Sequence, residues 1–372
     1  MHVKQNAIMA GIYIHIPFCK SRCIYCGFYS TTSNDLRQQY VDCICREWQL
    51  RQNYISEHVR TIYIGGGTPS QLSGKQLRQI FDCVGSADEV TIECNPDDVT
   101  AEYAGMLSQL PVNRVSMGAQ SFSDARLRFI RRRHTAQQIE AAVANLRTAG
   151  FGNISIDLMY GFPGETLDEW LCDIDKALAL EVEHISAYAL MYEEGTELYR
   201  QLEKGIVSEV DEELSLLMYE TLMSRLTAAG YEHYEISNFA KPGCRSVHNS
   251  NYWNQTPYIG LGAAAHSYDR ESRQWNVADI GRYMHGVECG KLEFEKETLD
   301  EHTKYNDLIM TSLRTCEGLR LRDLDEVHRR YCLQGAQRFI DDGLMTIKKD
   351  SLRLTQKGIF VSDMMMSELM WV

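Results

Sequence analysis

The chain has 372 residues, 44% of them hydrophobic, and a formal net charge of −13; that length suits one large domain with a sizeable core plus a smaller one. The acidic balance excludes general nucleic-acid binding, which needs a basic face for phosphate. No segment approaches the run of about 18 apolar residues that spans a bilayer, and the N-terminus lacks the flanks and cleavage site of a signal peptide, so a cytoplasmic protein is expected.

Taken in chain order, β-branched and aromatic runs at 11–16, 61–64, 89–94, 114–117, 153–158 and 184–190 read as strands. Amphipathic stretches at 35–52, 74–83, 101–110, 136–149 and 167–180 read as the helices between them. Such repeats imply parallel strands joined by crossovers, and six are too few for a closed eightfold barrel. The expected fold is therefore α/β, a partial (β/α)6 TIM-like barrel, with a flat doubly wound sheet as the alternative. The cluster Arg126, Arg128 and Arg131–Arg133 is expected to be mostly a solvated helix face.

Residues 195–223 read as acidic helix, and 231–268, rich in Gly, Asn and aromatic residues, shows little periodicity. Helices at 306–315, 321–331 and 333–341 then precede strands 344–348 and 351–355, which turn near Lys349 and Asp350. That order is winged-helix-like. Winged helices often bind DNA, but the acidic charge favours packing or partner docking here. The expected organisation is a barrel over 1–230, an irregular connecting region over 231–300 and a C-terminal winged-helix-like α+β domain over 301–372.

Twelve cysteines in a long chain without an export signal point to metal where clustered and to core where scattered. Nine are scattered and are expected to be small buried hydrophobes. Cys19, Cys23 and Cys26 instead fall within eight residues, in a CxxxCxxC loop directly after the first strand. Soft thiolates suit iron–sulfur and zinc alike. A structural zinc takes four ligands, and no second Cys/His cluster of zinc spacing follows. Three thiolates on a [4Fe–4S] cubane leave one iron open, able to chelate the amino and carboxylate groups of S-adenosylmethionine (SAM). An electron passed to the sulfonium then yields a 5′-deoxyadenosyl radical, chemistry that belongs to the cofactor. Tyr25 fits a ring packed on the adenine.

Ligands on such folds sit at the C-terminal ends of the strands, and the remaining candidates fall there. The second strand runs into Gly65-Gly66-Gly67-Thr68-Pro69, whose glycines allow close approach of backbone. Glu93 ends the third strand, Gln120 follows the fourth, Arg132 lies on the next helix as a carboxylate partner, and Asp157 ends the fifth. Each alone fits surface or supporting duty as well as ligand contact; together they mark one sheet edge.

The motifs YIHIPFCxxxCxYC, GGGTP, SMGAQSF and IDLMYGFPGET resemble the radical-SAM branch that contains oxygen-independent coproporphyrinogen III oxidase and its haem-chaperone relative. The resemblance runs over most of the chain and implies SAM contacts at Tyr13, Gly66, Gly67, Thr68, Glu93, Gln120, Arg132 and Asp157. Three features separate the two subgroups. The oxidase carries a fourth cysteine two residues after the third, where this chain has Phe28. The oxidase also has a longer segment before the cluster loop. Finally, His248-Asn249-Ser250-Asn251-Tyr252-Trp253 resembles the HNxxYW signature of the chaperones. Imidazole is a common axial haem ligand, and Tyr252 and Trp253 offer flat apolar faces to a macrocycle. A His–Asn pair that satisfies backbone groups in an irregular loop is the plainer account of the same string.

The resemblance thus implies a cytoplasmic haem chaperone rather than a catalyst. It would hold one [4Fe–4S] cluster, SAM and haem, the last through His248. Its partners would be an electron donor to the cluster and a haem-acceptor protein, expected at the membrane. The alternatives are radical oxidative decarboxylation of a porphyrinogen and, disfavoured by charge, a winged-helix regulator that senses iron–sulfur status.

Overall fold

Strand β1 (Met9–Ile16) sets a pattern that the next five strands repeat. In this computed structural model, which describes residues 9–372, β1 is followed by α1 (Arg37–Leu50), β2 (His58–Gly66), α2 (Gly74–Val84), β3 (Glu89–Cys94) and α3 (Ala101–Leu107). Then come β4 (Arg114–Gln120), α4 (Asp124–Phe129), α5 (Ala136–Thr148), β5 (Ile154–Tyr160), α6 (Leu167–Ala179) and β6 (His184–Ala189). Strands β1 to β6 pair in sequence order, all parallel. The helices start where the side chains dictate: Ser73, Thr135 and Thr166 close capping boxes with the glutamine or glutamate three residues on.

Register assigns the faces. One face of these strands carries Ile12, Ile14, Ile62, Ile64, Val90, Ile92, Val115, Met117, Ile156 and Ile185, all buried in the main apolar core. The opposite face carries Tyr13, Thr61, Tyr63, Glu93, Ser116, Ser155, Asp157 and His184. Parallel sheets covered on both sides normally read as apolar throughout. A polar inner face marks this one as the lining of a site.

The stretch expected to be irregular does not stay out of the sheet. After α7 (Glu197–Glu203) and α8 (Glu212–Ala228), strands β7 (Glu232–Glu235) and β8 (Asn238–Ala240) extend it antiparallel beyond β6. Helix α9 (Val247–Trp253) crosses to the other side. There β9 (Tyr258–Leu261) pairs parallel with β1, and β10 (His266–Tyr268), β11 (Ser272–Asn276) and, after α10 (Ile280–Glu288), β12 (Phe294–Thr298) follow antiparallel. The sheet has twelve strands in the order β12-β11-β10-β9-β1-β2-β3-β4-β5-β6-β8-β7. Strands of three to five residues are too short for a period-2 pattern to declare itself.

The last segment comprises α11 (Glu301–Ser312), β13 (Leu319–Arg320), α12 (Glu326–Asp341), β14 (Met345–Lys348), β15 (Ser351–Leu354), α13 (Gln356–Ile359) and α14 (Ser362–Leu369). It builds its own apolar core around Ile309, Cys332, Phe339 and Met366 and a three-stranded sheet. The hairpin turns at Lys349 and Asp350, both at positive φ as a two-residue turn requires. The two helices expected at 321–331 and 333–341 are one. Asp325 caps it by accepting from the N–H groups of Val327 and His328, so it starts at Glu326, and Gly335 faces the Leu369 side chain instead of breaking it.

Two further expectations are corrected. Arg126 is not solvated: it reaches the buried Glu165 at 3.0 Å and Asp173 at 3.6 Å, and the exposed Glu169 at 2.8 Å. Among the scattered cysteines, Cys172, Cys289 and Cys316 are exposed rather than core.

Candidate functional site

The cluster loop is tied at both ends. The Cys19 N–H donates to the Thr31 carbonyl at 2.9 Å, and the Thr31 N–H donates to Pro17 at 2.7 Å. Ile24 anchors its middle in a small apolar cluster with Ile130, Phe162, Leu190 and Leu198. The Leu198 N–H donates to the Ile24 carbonyl at 2.9 Å. From below, Gly67 passes so close that a Cβ there would lie 2.7 Å from the Pro17 carbonyl oxygen. Gly66 has φ +114, and its Cβ would meet the His15 ring. These two contacts explain why the turn after β2 is glycine.

Cys19, Cys23 and Cys26 line a cleft, with about 960 Å³ of empty space, at the C-terminal ends of the strands. Among the described residues no three His, Cys, Asp or Glu side chains are arranged around a single metal ion. A cubane asks for a different arrangement, each thiolate at its own corner, and three thiols on the wall of one cleft are the donor set it takes. Arg132 spans the floor: Nη1 lies 3.8 Å from the Cys23 sulfur, and Nη2 donates to Asn95 Oδ1 at 2.7 Å and to the Gly118 carbonyl at 2.6 Å.

Two carboxylates face the cleft. Glu93 accepts from the Tyr63 hydroxyl at 2.7 Å and from the Gly66 N–H at 3.1 Å, and burial pushes its carboxyl up to about 7. Burial also raises Asp157, opposed by hydrogen bonds from Ser186 and Ser116 and by Arg114 and Arg132. Gln120 sits at positive φ beside a register shift between β4 and β5, a backbone cost that sites commonly carry. At the rim Asp98 gathers Lys20 (2.9 Å), Ser70 (2.8 Å) and Gln71 (2.6 Å), fixing the loop to the turn after β2.

Of the residues expected around SAM, Tyr25, Gly66, Gly67, Thr68, Glu93, Gln120, Arg132 and Asp157 all line this cleft with the three cysteines. Tyr13 does not. Its hydroxyl bonds His15 Nδ1 at 3.0 Å, and its ring stacks on Tyr63. Asn95, Ser116 and Gly118 line it too and were not expected. The register pairing of Glu93 with Ser116 and of Gly118 with Asp157 places the last two beside residues that were.

His248 lies elsewhere, at the opposite end of the strands. It is 1% exposed, stacked on Tyr63 with ring centroids 5.1 Å apart. Nδ1 is 2.8 Å from the Thr61 hydroxyl and Nε2 is 3.0 Å from the Tyr252 hydroxyl. Its N–H and that of Val247 donate to Glu89, the first residue of β3. Burial lowers its pKa to about 3, which keeps the imidazole neutral. Both ring nitrogens are thus engaged within the fold, and the expected axial ligand is a closed core histidine in this conformation.

A sheet of parallel strands with three cysteines at the mouth of a polar cleft defines a radical-SAM protein, and the model of the Radical SAM superfamily matches residues 13–177. The model of the HemN C-terminal domain matches residues 299–361. The chain is 33% identical to the heme chaperone HemW of Lactococcus lactis, covering 93% of each, and 40% identical to that of Bacillus subtilis, covering 74% of this chain and 75% of the other. It therefore belongs to the family of the heme chaperone HemW. The fold is that of coproporphyrinogen III oxidase (HemN) from Escherichia coli, a radical-SAM enzyme, with a TM-score of 0.83 over 99% of this chain and 91% of the other, at 21% identity. Among the described residues no helix is long and apolar enough to cross a membrane.

Proposed function

We propose that this chain is a haem chaperone that binds a SAM-ligated [4Fe–4S] cluster and passes haem to an acceptor protein. The likeness to heme chaperones over 93% of both chains carries the reading. When bound, cluster and SAM together supply one-electron chemistry. The chain's own part is to bind and orient them. Cys19, Cys23 and Cys26 would hold three irons, and Arg132 places a positive charge beside Cys23. Glu93 would be an acceptor for the methionyl amine or the ribose, the Gly66–Thr68 turn would offer backbone to the methionyl group, and Tyr25 would offer its ring to the adenine, all from the wall of one cleft. Twelve cysteines without a disulfide among them agree with a reducing cytoplasm.

The competing reading is porphyrinogen decarboxylation. The position of the oxidase's fourth cysteine is Phe28, 71% exposed at the rim of the cleft. Anaerobically reconstituted protein should bind haem with saturation and form no vinyl product from coproporphyrinogen III, SAM and reductant. Turnover to the vinyl product would transfer the assignment to the oxidase.

A further inference from the structure

Helix α9 faces the barrel with His248 at one end; at the other, Trp253 and Gln255 face the C-terminal segment. Between them and that segment lies a pocket with about 1,120 Å³ of empty space, walled opposite by Leu308 of α11 and Arg353 of β15. Much of that space is open to solvent; the cavity itself is about 510 Å³, the size of an ordinary small-molecule site. Its polar groups do not balance. The indole Nε1 of Trp253, the amide Nε2 of Gln255 and the guanidinium Nε of Arg353 are buried without a hydrogen-bond partner among the described residues. All three are N–H donors, and buried donors rarely go unmatched. The carboxylates nearby are already engaged: Glu317 with Arg245 at 2.8 Å and Asp323 with Arg320 at 2.9 Å.

Three unmatched donors, one of them on an arginine, call for an acceptor with two oxygens and negative charge. We propose that this pocket binds the carboxylate of a ligand and, resting on the haem-chaperone reading above, that the carboxylate is a propionate of haem. Trp253 then serves twice, its N–H on the propionate and its ring along the macrocycle edge, with Leu308 as the facing apolar wall. The pocket joins the motif helix to the C-terminal segment, so cargo bound there touches both.

The test compares haem with its dimethyl ester, which keeps the macrocycle and iron but lacks the charged carboxylates. Both are titrated into full-length reconstituted protein. Wild type should bind haem about tenfold more tightly than the ester. Arg353→Met should erase that preference by weakening haem alone, and Trp253→Phe should weaken haem about threefold. Gln255→Glu conserves shape but opposes a carboxylate, so it should also weaken haem and spare the ester. Cluster absorbance and melting temperature report whether each variant is folded, and Gln255→Glu carries the test if Arg353→Met is not. Equal haem affinity in wild type and variants overturns the pocket, as does equal weakening of haem and ester. Failure of wild type to bind haem at all is a different result: it defeats the chaperone reading, and the propionate assignment with it.

Discussion

Glu93 is where charge and solvent exclusion conflict most directly. Its carboxyl is raised from its ordinary 4.5 to about 7 by burial. In the native protein it therefore holds a proton between those values that the unfolded chain has released. Its contribution to stability is fully present below about pH 4.5 and is lost as pH rises through about 7. The Glu93→Gln variant cannot ionise, so the gap between its unfolding free energy in urea and that of cofactor-free wild type should change only within this window, by on the order of 3 kcal/mol. A gap that stays constant from pH 4 to pH 8 would show that Glu93 does not titrate there. His248 gives a second case. Removing its buried ring leaves a cavity beside Gly11 and strips partners from Thr61 and Tyr252. His248→Ala should therefore cost about 3 kcal/mol of stability even without haem. Loss of haem binding in that variant consequently says little about ligation unless its denaturation midpoint is measured alongside.

The turn between β2 and α2 is the element on which the cluster loop rests. A methyl group at position 67 would press on the Pro17 and Phe18 carbonyls, backbone atoms that cannot swing aside. Gly67→Ala should therefore lose about 1–3 kcal/mol and hold less iron after reconstitution; full iron content with unchanged stability would mean the loop has room to spare. At this scale the sequence was readable where patterns were long. The six parallel strands, the cysteine loop and the strand-end residues Glu93 and Gln120 follow from β-branched runs and from ligands gathering at strand ends; Asp157, expected to end the fifth strand, lies in the middle of β5 and still lines the cleft. Strands β7 to β12 did not show, because none exceeds five residues and they lie in a stretch rich in Gly, Asn and aromatic residues with little periodicity. The equally short β14 and β15 flank a turn at Lys349 and Asp350 that marks them. Asn95 was within reach of the same strand-end logic, one residue beyond Cys94, but Ser116 and Gly118 needed the register between strands, which a sequence does not print. His248 shows what packing adds to residue type. Its residue type suits a haem ligand, yet accessibility of its nitrogens is a property of packing, set by Thr61 and Tyr63 nearly 190 residues earlier.

The whole molecule has two poles on one sheet. The cluster cleft opens at the C-terminal ends of the strands. Helix α9 docks at the other end, its first N–H groups on Glu89 at the start of β3. Thr61, beside His248, and Gly66, in the cleft, are five residues apart on β2, or about 17 Å at roughly 3.3 Å per residue. Between the poles a column of side chains fills the interior, with Glu93 bonded to Tyr63 and Tyr63 stacked on His248. Haem bound as proposed, between the motif helix and the C-terminal segment, would thus lie too far from the cluster loop to occupy the cleft proposed for SAM. A porphyrinogen awaiting hydrogen abstraction would have to enter the cleft itself. SAM titrations of haem-loaded and haem-free protein should accordingly give dissociation constants that agree within about twofold, since ligands at separate sites compete only through a coupling energy. Displacement of SAM by stoichiometric haem would place the cargo at the cluster pole. The column also offers a way to find whatever coupling exists: Tyr63→Phe removes the hydroxyl on Glu93 but keeps the ring under His248. SAM affinity should shift in this variant, and haem affinity should not, if the two poles act independently.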